Sequence, residues 1–148
     1  MKKSILTTAI CTLLQFILIN VSAYSQDRQY TSGTVWTVSM VKTKANMGVE
    51  YLNSLKANWK AINDEAKAQG LILSYKILDG RAANPEDFDI MLMVETKDLA
   101  STEGNEAKWE AIRKKVMGGD EAIKTVNQAR VNVREMYGSK VMREVIYK

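Results

Sequence analysis

From Met47 to Ala68 the apolar residues Tyr51, Leu52, Leu55, Trp59, Ile62 and Ala66 recur at steps of three and four, so one face of a long helix is apolar. Asn46 is the expected cap and Gly70 the expected stop. A second helix is predicted from Thr102 to Met117, with Trp109, Ile112 and Val116 on one stripe and Gly118-Gly119 at its end. Asp120 then caps a further helical piece running to Arg130 or beyond. Between these periodic stretches lie segments of strand character: Thr34 to Lys44, Leu71 to Leu78, Asp87 to Asp98, and a final strand after Gly138. The third of them is apolar at every position from Ile90 to Val94, a pattern that requires cover on both faces. Residues 131–137 fit helix and extended chain equally well.

The two helices carry an echo. Residues 58–63 read NWKAIN and residues 108–113 read KWEAIR, and the strands before them end SMVKTK (39–44) and LMVETK (92–97). Two similar strand-helix units, each completed by a further strand, give the order βαββαβ. This is a split βαβ arrangement of the ferredoxin-like kind in the α+β class, with an extra helical segment before the last strand. Trp59 and Trp109 fall at equivalent places, where the expected role is core packing against the sheet. The alternative is a pair of walls for a ligand pocket.

That order of elements resembles the dimeric α/β barrel superfamily over residues 34–148, in pattern and without a diagnostic motif. The resemblance implies a homodimer, two ferredoxin-like subunits pairing sheet to sheet, and leaves function open because the architecture hosts several. Its haem-binding branches ligate iron through a histidine, and this chain has none. Its cofactor-free monooxygenases remain chemically permitted, and Asn58, Trp59 and Asn63 are residue types that such a site uses. No catalytic residue is transferred.

The N-terminus changes the charge picture. Lys2 and Lys3 precede an apolar run from Ile5 to Val21, and small residues follow at Ser22, Ala23 and Ser25, the order of a secretory signal peptide. Residues 1–25 are therefore expected to be removed, with cleavage after Ala23 or Ser25, leaving a short tail (26–33) and one domain (34–148). The competing reading is a membrane anchor; no basic stop-transfer cluster supports it. The only cysteine, Cys11, leaves with the peptide. Loss of two lysines leaves 19 basic side chains against 17 acids, interspersed, so neither nucleic acid nor an anionic membrane is an expected partner.

The mature chain then contains neither cysteine nor histidine. Disulfides, zinc sites built on those ligands and the ordinary neutral-pH general base are excluded, and no cofactor is implied. A ligand site must use Trp59 and Trp109 to stack an apolar group, with Tyr75 or Arg143 stabilising negative charge. Arg143 is also placed to pair with Asp89 or Glu95. Met91 and Met93 share the face of the third strand opposite Ile90 and Leu92 and are the expected dimer interface. Arg113, Lys114 and Lys115 fall on an outer helix face. The reading that follows is an exported homodimer binding a small apolar or acidic molecule without turnover. The alternatives are a cofactor-independent monooxygenase or isomerase and a protein-interaction subunit of an envelope assembly.

Overall fold

The computed structural model describes residues 28–148, and the expected signal peptide lies outside them. Strand β1 (Tyr30–Thr43) leads into a helix, α1, which spans 48–68 in three joined parts: α-helical Gly48–Ser54, π-helical Leu55–Lys60 and α-helical Ala61–Ala68. Strands β2 (Ser74–Asp79) and β3 (Ile90–Thr96) follow, then helices α2 (Glu106–Met117) and α3 (Asp120–Val133), and strand β4 (Arg134–Tyr147). The strands form one sheet in the order β2-β3-β1-β4, and every neighbouring pair is antiparallel. Order and connections are those of the ferredoxin-like fold, with α3 as the additional helix.

The register sorts side chains by face. Val35, Thr37, Ser39 and Val41 of β1 stand opposite Thr96, Val94, Leu92 and Ile90 of β3. This is the face the helices cover: Val41, Ile90 and Leu92 pack with Tyr51, Leu55 and Val133 in one core cluster. A second cluster joins Ala66, Ile72 and Ile112. Burial of such side chains contributes roughly 1.5–3 kcal/mol each before conformational entropy is subtracted. The other face carries Trp36, Met40, Met91 and Met93, and no helix lies over it. The continuous apolar run in β3 is explained on its helix side by the core; its far side is open in the single chain.

Several boundaries differ from expectation for local reasons. Asn46 does not cap α1; it takes φ +64° in the turn and Met47 occupies the cap position without a side-chain bond. Helix α2 starts at Glu106 rather than Thr102, because the Asp98 carboxylate accepts bonds from the Ser101 amide (2.8 Å) and hydroxyl (2.7 Å) and holds a short 3₁₀ turn at Ala100–Thr102. Helix α3 begins at Asp120 itself, with Gly119 at the cap position. The ambiguous stretch 131–137 divides at Val133, where α3 gives way to β4. Gly138 lies inside that strand at φ 143°, beside a register shift where Met40 pairs with Gly138 and Val41 with Met136. At the other end, β1 is already paired from Tyr30, and Gly33 packs so close to Glu144 that an added Cβ would lie 2.5 Å from its Oε2. Among the described residues no helix is long and apolar enough to cross a membrane.

Candidate functional site

Trp59 packs against the first core cluster and Trp109 against the second, as expected, yet neither is closed in. Each is only partly buried, and between them, under α1 and α2 and above the sheet, lies a cavity of about 440 Å³. Its floor is Thr37 of β1 with Val94 and Thr96 of β3, and Ile62 and Leu71 continue its apolar wall. Ser101 and Thr102 of the 3₁₀ turn add hydroxyl groups. The wall holds two cations, Arg113 of α2 and Arg130 of α3, and no carboxylate.

The echoed hexapeptides account for five of these residues, Ile62 and two matched pairs. In each, the tryptophan and the sixth residue stand four apart on one helical face. Trp59 and Asn63 therefore project together from α1, as do Trp109 and Arg113 from α2, and all four reach the same space. Trp59 also lies in the π-helical segment, where an added residue per turn widens the helix, a feature frequent at functional sites.

Asn63 is 3% exposed, and its amide is oriented by the Trp59 carbonyl, which accepts a 2.8 Å bond from Nδ2. Turned the other way, two oxygens would face one another. Oδ1 is thereby left buried with no donor among the described residues, an arrangement that costs about 1–3 kcal/mol.

Arg130 is half-buried, and among the described residues its side-chain partner is Asn127 Oδ1 at 3.3 Å. Burial first, and the neighbouring Arg134 guanidinium second, lower its pKa; an arginine nevertheless stays charged at neutral pH. Among the described residues neither Arg113 nor Arg130 belongs to an ion pair. Arg130 also borders a second hollow, with Lys44 and Arg134, whose buried Nε has no acceptor. The guanidinium of Arg134 lies 5.9 Å from the ring centre of Tyr51, whose hydroxyl pKa is raised chiefly by burial.

Tyr75 is not on the cavity wall. Its ring meets Trp59 edge to face, centres 5.4 Å apart, and its hydroxyl donates to Asp64, which Lys60 also binds at 2.7 Å. These bonds, from Lys60 first and Tyr75 second, hold the Asp64 carboxyl below its ordinary range. Tyr75 thus braces Trp59 from behind. Arg143 is brought to a different place: register sets it opposite Val35 on β4, an edge strand, where it borders a small hollow with Leu99 and Val141. The expected pairing with Asp89 or Glu95 is not formed. Asp89 takes the amide and hydroxyl of Thr43, and Glu95 takes the hydroxyls of Ser74 and of Thr34, the latter at 2.8 Å.

Sequence reasoning missed both charged wall residues. Arg113 was expected on solvent beside Lys114 and Lys115, of which the first pairs with Glu110 and Asp120 and the second with Glu65. The hexapeptide alignment with Asn63 was the signal that could have found it. Arg130 carried no such signal, since α3 reaches the cavity only through tertiary packing. Among the described residues no cluster of His, Cys, Asp or Glu is placed to hold a metal ion.

No protein-family model and no curated protein matches the chain. Among solved structures, a dimeric ferredoxin-like protein from an uncultured marine organism matches with a TM-score of 0.44 and 15% identity, covering 80% of this chain and 90% of that one. The fold assignment stands on strand order and connections: the chain has a ferredoxin-like α+β fold and resembles the dimeric α/β barrels at that level.

Proposed function

We propose that this protein binds a small apolar or acidic molecule, without turnover, in the cavity between its sheet and helices. The carrying observation is the open space between Trp59 and Trp109, in the size range of small-molecule sites and largely apolar in its walls. A thermal-shift screen of small organic acids and neutral ring compounds tests the reading. A true ligand at a hundred times its Kd adds about 2.7 kcal/mol of stability and raises the melting temperature by several degrees. Trp59→Phe and Trp109→Phe should both weaken that shift. Ligand-induced shifts that neither substitution alters would remove the cavity from consideration.

The competing enzyme reading has one observation in its favour. Asn63, Arg113 and Arg130 converge on a mostly apolar space, where preorganised polar groups stabilise developing negative charge far better than water does. Oxygen uptake, and chromatography with NMR that resolves isomers as well as changes of mass, measured with any ligand from the screen, separate the two: chemically unchanged ligand and no uptake support the carrier.

Homodimerisation through the open sheet face belongs to the same proposal. Trp36, Met40, Met91 and Met93 lie there, continuous with Leu78 (50% exposed) and Met142 (53% exposed), so an apolar strip crosses all four strands. Lys76 and Lys140 alternate on that face with Glu95 and Glu144, which lets a second copy, turned about a two-fold axis, meet opposite charge. Sedimentation should show a dimer at micromolar concentration, and Met91→Glu or Met93→Glu should yield a folded monomer; a monomeric wild type overturns this part. The charged, apolar and small segments within residues 1–25 support export, and intact-mass analysis of secreted protein should begin at Tyr24 or Gln26.

A further inference from the structure

Resting on the cavity reading above, we infer that the occupant is a small aromatic carboxylate carrying one further hydrogen-bond donor. Three independent features of the wall lead to it. The first is charge: Arg113 and Arg130 are both on the wall, no acid is, and neither arginine is paired among the described residues. Among the described residues Lys60, Lys114 and Lys115 of the helices are in ion pairs, with Asp64, Glu110 and Glu65, while Lys56, Lys67, Lys108 and Lys124, also without an ion pair, are exposed and off the wall. Two unmatched guanidinium groups beside one apolar space favour an anion, and their planar forks fit a carboxylate through two parallel bonds.

The second feature is shape. Trp59 of α1 and Trp109 of α2 both line the space, and the Tyr75 ring holds the Trp59 ring by an edge-to-face contact. A flat ring fits a space lined by two indoles through offset or edge contacts, each worth more than area burial alone.

The third is the Asn63 amide. Its donor side is already used on the Trp59 carbonyl, so what it offers a ligand is the unpartnered Oδ1 acceptor. A hydroxyl or N–H on the occupant, separate from the carboxylate, would satisfy it. A neutral ring lacking both groups leaves the cations and the acceptor unmet; a ring carrying an alkylammonium group adds a positive charge to a site that already has two.

The test is calorimetric titration of the full mature chain with four probes that differ in one group each: cinnamate, para-coumarate, cinnamamide and cinnamylamine. Cinnamate should bind about tenfold more tightly than cinnamamide, the margin expected of charge-assisted over neutral bonds, and cinnamylamine should not bind. The hydroxyl of para-coumarate should add a further factor of about five. Arg113→Gln and Arg130→Gln should each bring cinnamate down toward cinnamamide, and Asn63→Leu should erase only the advantage of para-coumarate. Lys114→Gln, one residue from Arg113 and outside the wall, should change nothing, which separates a local effect from a change in net charge. Folding of each variant is checked by its melting curve, and the exposed Arg113 keeps the test available if Arg130→Gln melts early. If cinnamamide or cinnamylamine binds as well as cinnamate, the carboxylate inference is overturned while the cavity reading stands. If none of the four binds at millimolar concentration, and the wider thermal-shift screen is also silent, both fail together.

Discussion

NWKAIN and KWEAIR fold into two helices that face one cavity, yet equivalent positions do different things. Ile112 is 1% exposed, packed under Ala66 and Ile72, whereas Ile62 is only partly buried and stands on the cavity wall. Asn63 is buried and lacks a donor for its oxygen; Arg113, its counterpart, is exposed at the rim. Lys60 pairs with Asp64 four residues on, while in the second copy the charges are reversed, Glu110 pairing with Lys114 at 2.9 Å. Trp59 sits in a π-helical segment and Trp109 in regular α-helix. Helical spacing therefore decides which way each side chain faces, and the neighbouring elements decide whether it ends in a core or on a cavity.

The largest expected contrast is between the two isoleucines. Ile112→Ala removes atoms from a closed cluster and should cost about 3–4 kcal/mol; Ile62→Ala enlarges a space that already exists and should cost about 1 kcal/mol. Urea unfolding of both variants measures the difference. Equal losses would mean that the wall around Ile62 closes in solution and that the two halves are packed alike.

How far such contrasts were legible depends on their physical origin. The run Ile90 to Val94 announced a central strand because every second residue enters the helix-side core and the rest form the sheet's open face. The tryptophan echo located the two helices and their matching faces, since repetition at fixed spacing preserves facing, but pointed to core packing before a cavity. What the echo could not carry was the packing around it. The π-helical turn at Leu55–Lys60 has no composition of its own, and Arg130 reaches the wall because α3 folds back against α1 and α2. Arg143 was nominated from strand alternation alone. Alternation gives a face but not a position along it, and register with Val35 set the residue on the edge strand beside a different hollow, off the tryptophans' wall. The start of β4 at Arg134 was likewise hidden, because VNVREMY suits either conformation until Val41, Lys42 and Thr43 supply a partner.

A smaller contrast separates Asn63 from Arg113. Asn63→Asp replaces the Nδ2 donor by an oxygen against the Trp59 carbonyl and buries a charge, which should cost about 2–3 kcal/mol. Arg113→Gln, on an exposed side chain without an ion partner, should stay within about 0.5 kcal/mol. A thermal melt of each decides it, and an Asn63→Asp protein as stable as the wild type would show that the position is wetter than its 3% exposure implies.

The smallest effect distinguishes the two inverted ion pairs and is read by titration. Asp64 accepts from Lys60 and from Tyr75, and both bonds favour its charged form, so its folded pKa lies below the unfolded one. A depressed carboxyl pKa stabilises the fold above the unfolded value, about 4 for aspartate, and that contribution is lost as pH falls through the folded value. Lys60 is the larger cause and Tyr75 the next. Carboxyl-carbon NMR should therefore find the Asp64 midpoint below the ordinary aspartate range in the wild type, moved up most by Lys60→Gln and less by Tyr75→Phe. In the second copy the carboxylate precedes the lysine, the orientation that suits the helix dipole, and Lys114 is the group whose pKa is raised, by Glu110 first and Asp120 second. Its contribution is present below the unfolded lysine pKa and disappears only as pH rises through the folded one. Asp64→Asn should consequently flatten the acid side of the stability curve, and Glu110→Gln the alkaline side. Because the Tyr75 ring also braces Trp59, Tyr75→Leu should loosen binding of an aromatic acid slightly while Glu110→Gln leaves it unchanged. If both substitutions act on binding alike, the bracing role of Tyr75 is wrong, and the two halves differ in their cavity-facing residues alone.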